Sequence, residues 1–318
     1  MMSETKKNDI LVIGSGPAGL ATALGLSRLK VGITCFGPEI LPAAENPDTR
    51  TIALFQGAIE FLKNLGVWEG CIEHSTKLRT IRILDNTKRL IRAPETVFNA
   101  SELGLEAFGY NIPNAILIEK LYQALLKTNP EAYVETSAVT GLSYTDRKIV
   151  AKTAEGSSYA GKLVVGADGR KSISRDTAKI KTVSWRYPQT ALVFNFAHSL
   201  PHEEISNEFH GENGPCTTVP LAGNNSSLVL VEKPNEIQRL NALDDEQLAL
   251  ELEKRMHGLL GEISSIGKRA QFPLSGLTAK TFAQNRIALI GEAAHVIPPI
   301  GAQGLNLGLR DAATLIET

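Results

Sequence analysis

Hydrophobic and polar positions follow three rhythms along this chain, and each rhythm predicts an element. Unbroken apolar runs mark strands buried on both faces: residues 9–13 open the chain this way, and "VGITCF" at 31–36 repeats the pattern. Between them "GSGPAGL" leads into a helix over about 18–29, giving a compact strand–helix–strand start. Helical spacing predicts further helices in "DTRTIALFQGAIEFLKNLG" (48–66), ended by Gly66 as a left-handed cap, and in "NIPNAILIEKLYQALLKTNP" (111–130), capped by Asn114 and stopped before Pro130. "DDEQLALELEKRMHGLL" (244–260) is amphipathic, with Asp244 and Gln247 at the spacing of a capping box.

Two-residue alternation predicts the strands. "LRTIRILDNTKRLIRA" (78–93) reads as a hairpin turning at Asp85-Asn86 with one wet face. Residues 132–168 form a run of short strands, with turns at Thr145-Asp146 and Glu155-Gly156. Ala191 to Phe196 and Ser227 to Val231 belong to a second sheet. The last block, "IALIGEAAHVIPPIGAQGLNLGLRDAATL" (287–315), opens as a buried strand, crosses a bend of prolines and glycines, and closes as a helix starting near Gln303. The whole is a mixed α/β chain in which sheet-rich blocks interrupt nucleotide-type blocks, without repeats or an obvious linker. It stops at Thr318 inside a predicted helix, which favours a truncated piece.

Composition narrows the function. At 43% apolar the chain can build a sizeable core, and 33 basic against 34 acidic residues give a net charge of −1. That balance gives no support for nucleic-acid binding, which would want a basic stripe. Cys35, Cys71 and Cys216 are isolated and read as reduced thiols of a cytoplasmic protein, not as disulfides or metal ligands. "MMSETKKNDI" lacks the apolar core of a signal peptide, and no run approaches the roughly 20 apolar residues of a membrane span. Any membrane contact is therefore expected to be peripheral.

Five places carry candidate chemistry. Gly14, Gly16 and Gly19 form G-x-G-x-x-G between strand and helix. The first permits the turn, the second lets a pyrophosphate approach, and the third lets helix pack on strand. Dinucleotide binding outweighs a purely structural turn there. The next strand should end in a carboxylate for the ribose, but "CFGPE" places Gly37 and Pro38 at that point, leaving Glu39 as the nearest acid or as a solvated loop charge. Arg50 either reaches back toward phosphates or is a surface charge. "LVVGADGRKS" sets Asp168 and Gly169 at a strand end, where cofactors bind in open α/β folds, although Asp-Gly alone is a common turn. In the last block Glu292 can accept sugar-alcohol hydroxyls. Pro298 stiffens the bend, Gly301 and Gly304 let a flat ring lie against backbone, and the helix start at Gln303 offers N–H groups and a positive dipole end. His295 reads as a polar strand-end residue, and Asn306 as a contact or cap.

"GSGPAGL", "VVGADGRKS" and "GEAAHVIPPIGAQGLNLGLRDA", in this order and with "DTRTIAL" and "GYNIPNAIL" in support, resemble the flavin-dependent aromatic hydroxylases of the para-hydroxybenzoate hydroxylase type. Within that group the chain is most similar to the hydroxylases of ubiquinone biosynthesis. The resemblance spans nearly the whole chain, and the family continues past the position of Thr318. It implies an FAD/NAD(P)-binding Rossmann-like domain from 1–77, 103–180 and 281–318, interleaved with a β-sheet substrate domain from 78–102 and 181–280. It places Gly14, Gly16, Pro17, Ala18 and Gly19 on the FAD pyrophosphate, and Arg50 on the flavin. Asp168 and Gly169 fall in a motif serving both FAD and the nicotinamide nucleotide. Glu292 stands where the family has aspartate on the ribityl chain, one methylene longer, and Pro298, Gly301, Gln303, Gly304 and Asn306 line the isoalloxazine. NADPH or NADH acts as a transient reductant, consistent with no second G-x-G-x-x-G after residue 180. The implied reaction is oxygen transfer from O2 to a hydrophobic, polyprenylated phenol, at the inner-membrane surface or in a quinone-synthesis complex. A same-fold flavin oxidoreductase or a non-catalytic flavin-binding subunit are the rival readings; the tryptophan-rich motif of flavin halogenases is absent at "SWRYP".

Overall fold

The computed structural model of the chain describes residues 6–145, 147–299 and 301–318. Two sheets dominate it. A six-stranded sheet carries the parallel order 287–289, 163–166, 10–13, 33–37 and 133–135, with 283–284 antiparallel at one edge. Its central strands are apolar on both faces because helices cover one face and strands from 139–161 pack on the other, as the unbroken runs require. The helix Pro17–Arg28 buries every residue from Gly19 to Ser27 beneath this sheet's neighbours. At Gly25 the Ile316 side chain of the last helix lies where a β-carbon would be, so the two helices approach closely there.

The second sheet is built on the long strand Thr182–His198, flanked by Ala270–Ala279 and Asn225–Glu232, and continues through 215–221, 205–210, 80–85 and 96–99. Its strands alternate. Leu192, Phe194, Phe196, Leu228 and Leu230 face the helices Pro234–Ala242 and Asp245–Arg255, packing on Ile237, Leu240, Leu248 and Leu252. Each such leucine contributes about 2 kcal/mol by leaving water. Val193, Val219 and Val229 point the other way and are only half-buried. Asp244 caps the second of these helices by accepting the Gln247 N–H at 2.8 Å.

The sheet uses strands from both stretches expected of a second unit, and takes one more from the last block. His295–Val296 pairs antiparallel with Leu277–Thr278. Among the described residues no helix is long and apolar enough to cross a membrane.

Three local expectations change. Residues 48–66 are not one helix: Thr51–Phe55 is a strand, and only Gln56–Asn64 is helical, with Gly66 left-handed at φ 55° as expected. The strand exists because Gly109–Pro113 pairs with it, a long-range partner that overrides helical spacing. The hairpin from Thr80–Asp85 returns at Thr96–Asn99, and residues 86–95 form a loop instead of the return strand. Asn114 begins its helix but does not cap it; its amide donates to Asp48 at 2.6 Å. Of the turn expected at Thr145-Asp146, Asp146 lies outside the described residues.

Candidate active site

Strands 10–13, 163–166 and 287–289 are neighbours in register, so the loops that follow them emerge side by side at one carboxyl edge. This juxtaposition brings Gly14, Asp168 and Glu292 together from three distant parts of the chain. The packing leaves no room for side chains between the loops. Gly14 sits at φ 108°, and a β-carbon there would overlap the Ala167 carbonyl. At Gly19 a β-carbon would overlap the Gly14 carbonyl, so the helix could not approach the strand. Gly308 of the last helix lies against Gly291, its hypothetical β-carbon 3.2 Å from the Gly291 Cα and 3.6 Å from the Ala18 Cβ. First loop, last loop and last helix therefore share one seam.

Gly16 behaves differently. It is exposed, and nothing lies within 4 Å of where its β-carbon would be. It starts the Pro17–Arg28 helix with no side-chain cap and no acid in the first turn, so that helix's leading N–H groups, beside Pro17 and Ala18, are free for an anion. The Gln303–Glu317 helix has the same character. Ala302 precedes it in a left-handed conformation at φ 50°, no side chain caps it, and Gly304 on its first turn faces open space. Gly301 is left-handed at φ 62°, and Pro298 is half-buried beside the bend. Gln303 is exposed.

Other predicted residues are committed to the protein itself. Asp168 accepts the Ser172 hydroxyl at 2.6 Å and the Ser174 N–H at 2.9 Å, which shapes the turn through Gly169 into the short helix at Ile173–Thr177. Asn306 donates to the Ala53 and Ala302 carbonyls and accepts the Phe55 N–H at 2.9 Å, so its amide fastens the last helix to the 51–55 strand. Glu292 holds Arg170 at 3.0 Å, both half-exposed. Arg50 forms a two-pronged pair with Asp48 at 2.7 and 2.8 Å. Burial pushes the Asp48 carboxyl up, but hydrogen bonds from Arg50 and Asn114 outweigh it and bring it down to about 2. The hydrogen bonds to Asp48 raise the Arg50 guanidinium against its burial, with Glu292 adding a smaller electrostatic share. Arg50 thus stands close to the third loop. Glu39 lies apart, exposed beyond the 33–37 strand. Gly37 carries no acid because Ser15 of the glycine loop occupies the space a side chain would need.

Sequence reading missed four side chains that assemble the site. Arg175, 7% exposed, donates to the Ala293 carbonyl at 3.0 Å and the Arg170 carbonyl at 2.8 Å, tying the second loop to the third. Arg170 answers Glu292. Asn195, on the open face of the large sheet, donates to the Thr49 carbonyl at 2.8 Å and so sets that face against the Arg50 loop. Asp311 accepts the Gly291 N–H at 2.9 Å and the His295 Nε2–H at 2.6 Å. The available signal was the aspartate of "RDA", sixteen residues after His295 on the helix that follows the bend. His295 does not end the 287–289 strand as expected; it opens the short strand His295–Val296, and its ring is hydrogen-bonded to Asp311. Asp311→Ala is expected to lower stability by about 2 kcal/mol, and Asp311→Asn by less, because the Gly291 bond survives. Urea denaturation midpoints of the two variants check this order.

Two uncapped helix starts and bare glycine backbone suit a long ligand with an anionic middle and a flat ring. A family model described as FAD binding domain matches residues 7–318. The chain is 31% identical to ubiquinone hydroxylase UbiL of Rhodospirillum rubrum over 318 residues, covering 99% of this chain and 73% of that one. It is also 31% identical to 3-demethoxyubiquinol 3-hydroxylase of Escherichia coli over 314 residues, covering 97% and 78% respectively. The solved p-nitrophenol 4-monooxygenase PnpA of Pseudomonas putida shares the fold, with a TM-score of 0.79 and 19% identity over 98% of this chain and 80% of that one. The residues fit FAD: Gly16 leaves open the space that a β-carbon would fill, and neither helix carries an acidic side chain in its first turn. The chain belongs to the FAD binding domain family, among the flavin-dependent aromatic hydroxylases of ubiquinone biosynthesis.

Proposed function

We propose that this chain holds FAD along the three-loop edge and uses NAD(P)H and O2 to hydroxylate a polyprenylated phenol on the way to ubiquinone. The observation that carries the reading is the convergence of the loops holding Gly14, Asp168 and Glu292 at one sheet edge, with the last helix seated on them through Gly308. When bound, FAD supplies the electron transfer and oxygen activation that side chains cannot perform. The protein's share is to bind, orient and dry the site. First-turn amides after Gly16 would hold the pyrophosphate, and Glu292 with Arg170 would meet the ribityl region. Pro298, Gly301, Gln303 and Gly304 would line the ring, and the helix that follows would stabilise negative charge at its pyrimidine side.

The sheet supports a hydrophobic substrate. Val193 pairs with Val229, which pairs with Thr217, all half-buried on the face that Asn195 turns toward Arg50. Ile81 and Ile83 extend that face toward its edge. Such a surface accepts an aromatic ring with an apolar tail and sheds water from it. The absence of a second glycine motif favours transient use of the nicotinamide nucleotide. Contact with a membrane is then peripheral.

FAD-reconstituted protein should oxidise NADPH or NADH about tenfold faster or more when a short-chain prenylated phenol is added, with oxygen consumed and a product heavier by one oxygen atom. Stoichiometric FAD with no phenol-dependent oxidation would instead favour the accessory flavin-binding subunit.

A further inference from the structure

Among the described residues, the loop 86–95 between two strands of the large sheet carries the two most exposed large apolar side chains. Leu90 is 102% exposed and its neighbour Ile91 86% exposed. A single exposed leucine needs no explanation, but two adjacent ones at a protruding tip do. They are bracketed by Lys88, Arg89 and Arg92, all exposed. The nearby acids are already engaged. Asp85 accepts the Thr87 N–H at 3.0 Å and the Ala93 N–H at 2.9 Å, closing the base of the loop, and Glu95 pairs with Arg82 at 3.1 Å. The Asn86 amide donates to the Arg255 carbonyl at 3.0 Å and its oxygen meets His257 at 2.7 Å, which pins the loop to the end of the Asp245–Arg255 helix. The tip is therefore held out from the body by fixed contacts at both ends of its base.

We propose that "KRLIR" at 88–92 docks this protein on an anionic phospholipid bilayer, with Leu90 and Ile91 entering the headgroup boundary and Lys88, Arg89 and Arg92 facing lipid phosphates. Charge complementarity selects that occupant. The chain as a whole is near neutral, at −1, yet the tip carries three cations around two apolar residues, which is the pattern of an interfacial anchor. A protein groove would cover the apolar pair but leave three guanidinium and ammonium groups needing acids of its own. The loop's return strand, 96–99, carries Phe98 opposite Ile81, so the docked edge leads directly to the half-open apolar face. The inference rests on the peripheral-contact part of the proposed function, not on the chemistry.

The test is vesicle flotation of the FAD-loaded full chain. Phosphatidylcholine vesicles with and without phosphatidylglycerol are the probes. Binding should require the anionic lipid and weaken with salt. Each basic side chain near such a surface strengthens binding about fivefold, so the triple variant Lys88→Glu, Arg89→Glu, Arg92→Glu should lose roughly 100-fold or more. Leu90→Glu with Ile91→Glu should lose binding too, while turnover of a detergent-solubilised short-chain phenol stays at the wild-type value. That last readout separates failure of docking from failure of the hydroxylase reading. Equal binding to neutral vesicles, no binding to anionic ones, or binding untouched by both variants overturns the proposal. So does a shift from dimer to monomer in the apolar-tip variant without any change in flotation, which would make the tip a contact between two copies.

Discussion

Gly16→Val protein is expected to melt like wild type and to lose FAD, whereas Gly19→Val is expected to lose both fold and flavin. The two glycines belong to one motif but face opposite constraints. Gly16 has open space where its side chain would grow, so valine there meets nothing in the protein and intrudes only on the bound pyrophosphate. A weakening of about 100-fold, roughly 2.7 kcal/mol, is reasonable for blocking that approach. Gly19 has the Gly14 carbonyl where its side chain would grow, and backbone cannot step aside. Overpacking at this seam costs about 3 kcal/mol or more. Thermal denaturation followed by circular dichroism, beside flavin fluorescence titration, reads both effects. Stoichiometric flavin in purified Gly16→Val would sink the placement of the pyrophosphate.

Arg175→Ala should be the most damaging change outside the glycines. Its guanidinium is buried and donates to two carbonyls from different loops, so truncation leaves both acceptors without partners inside the protein. Hydrogen bonds to a charged donor contribute about 1.5–3 kcal/mol each, which places the loss near 4 kcal/mol. Arg175→Lys should recover little, because an ammonium on a flexible stem cannot span both carbonyls at once. FAD affinity should fall in parallel, since the second and third loops lose their tie. A midpoint in guanidinium chloride indistinguishable from wild type would refute this role.

Local chemistry was legible in the sequence wherever it was short-range. The glycine turn at 14–19, the strand run from 132 to 168 and the bend before Gln303 each follow from neighbours a few residues away, and all stand where expected. Long-range pairing was not legible. Thr51–Phe55 reads as helix until Gly109–Pro113 is known to lie beside it. The return strand at Thr96–Asn99 is found only once Thr80–Asp85 has its partner. The site shows the same division. Gly16 and Gly304 announce themselves, but Asp168 and Asn306 turn out to spend their side chains on the Ser174 and Phe55 amides. Arg175 and Asp311 look like ordinary helix charges in the sequence, because their partners Ala293 and Gly291 are brought to them by the sheet order alone.

The two-residue strand His295–Val296 has a mechanical consequence. It belongs by sequence to the flavin-binding block yet is woven into the large sheet, and the Ala279 N–H donates to the Ala294 carbonyl at 2.8 Å just beside it. The stitch fastens the last block to the large sheet at this corner, so the two cannot part there without breaking backbone hydrogen bonds. The amide of Val296, locked in this seam, should therefore be among the slowest in the chain to exchange its hydrogen.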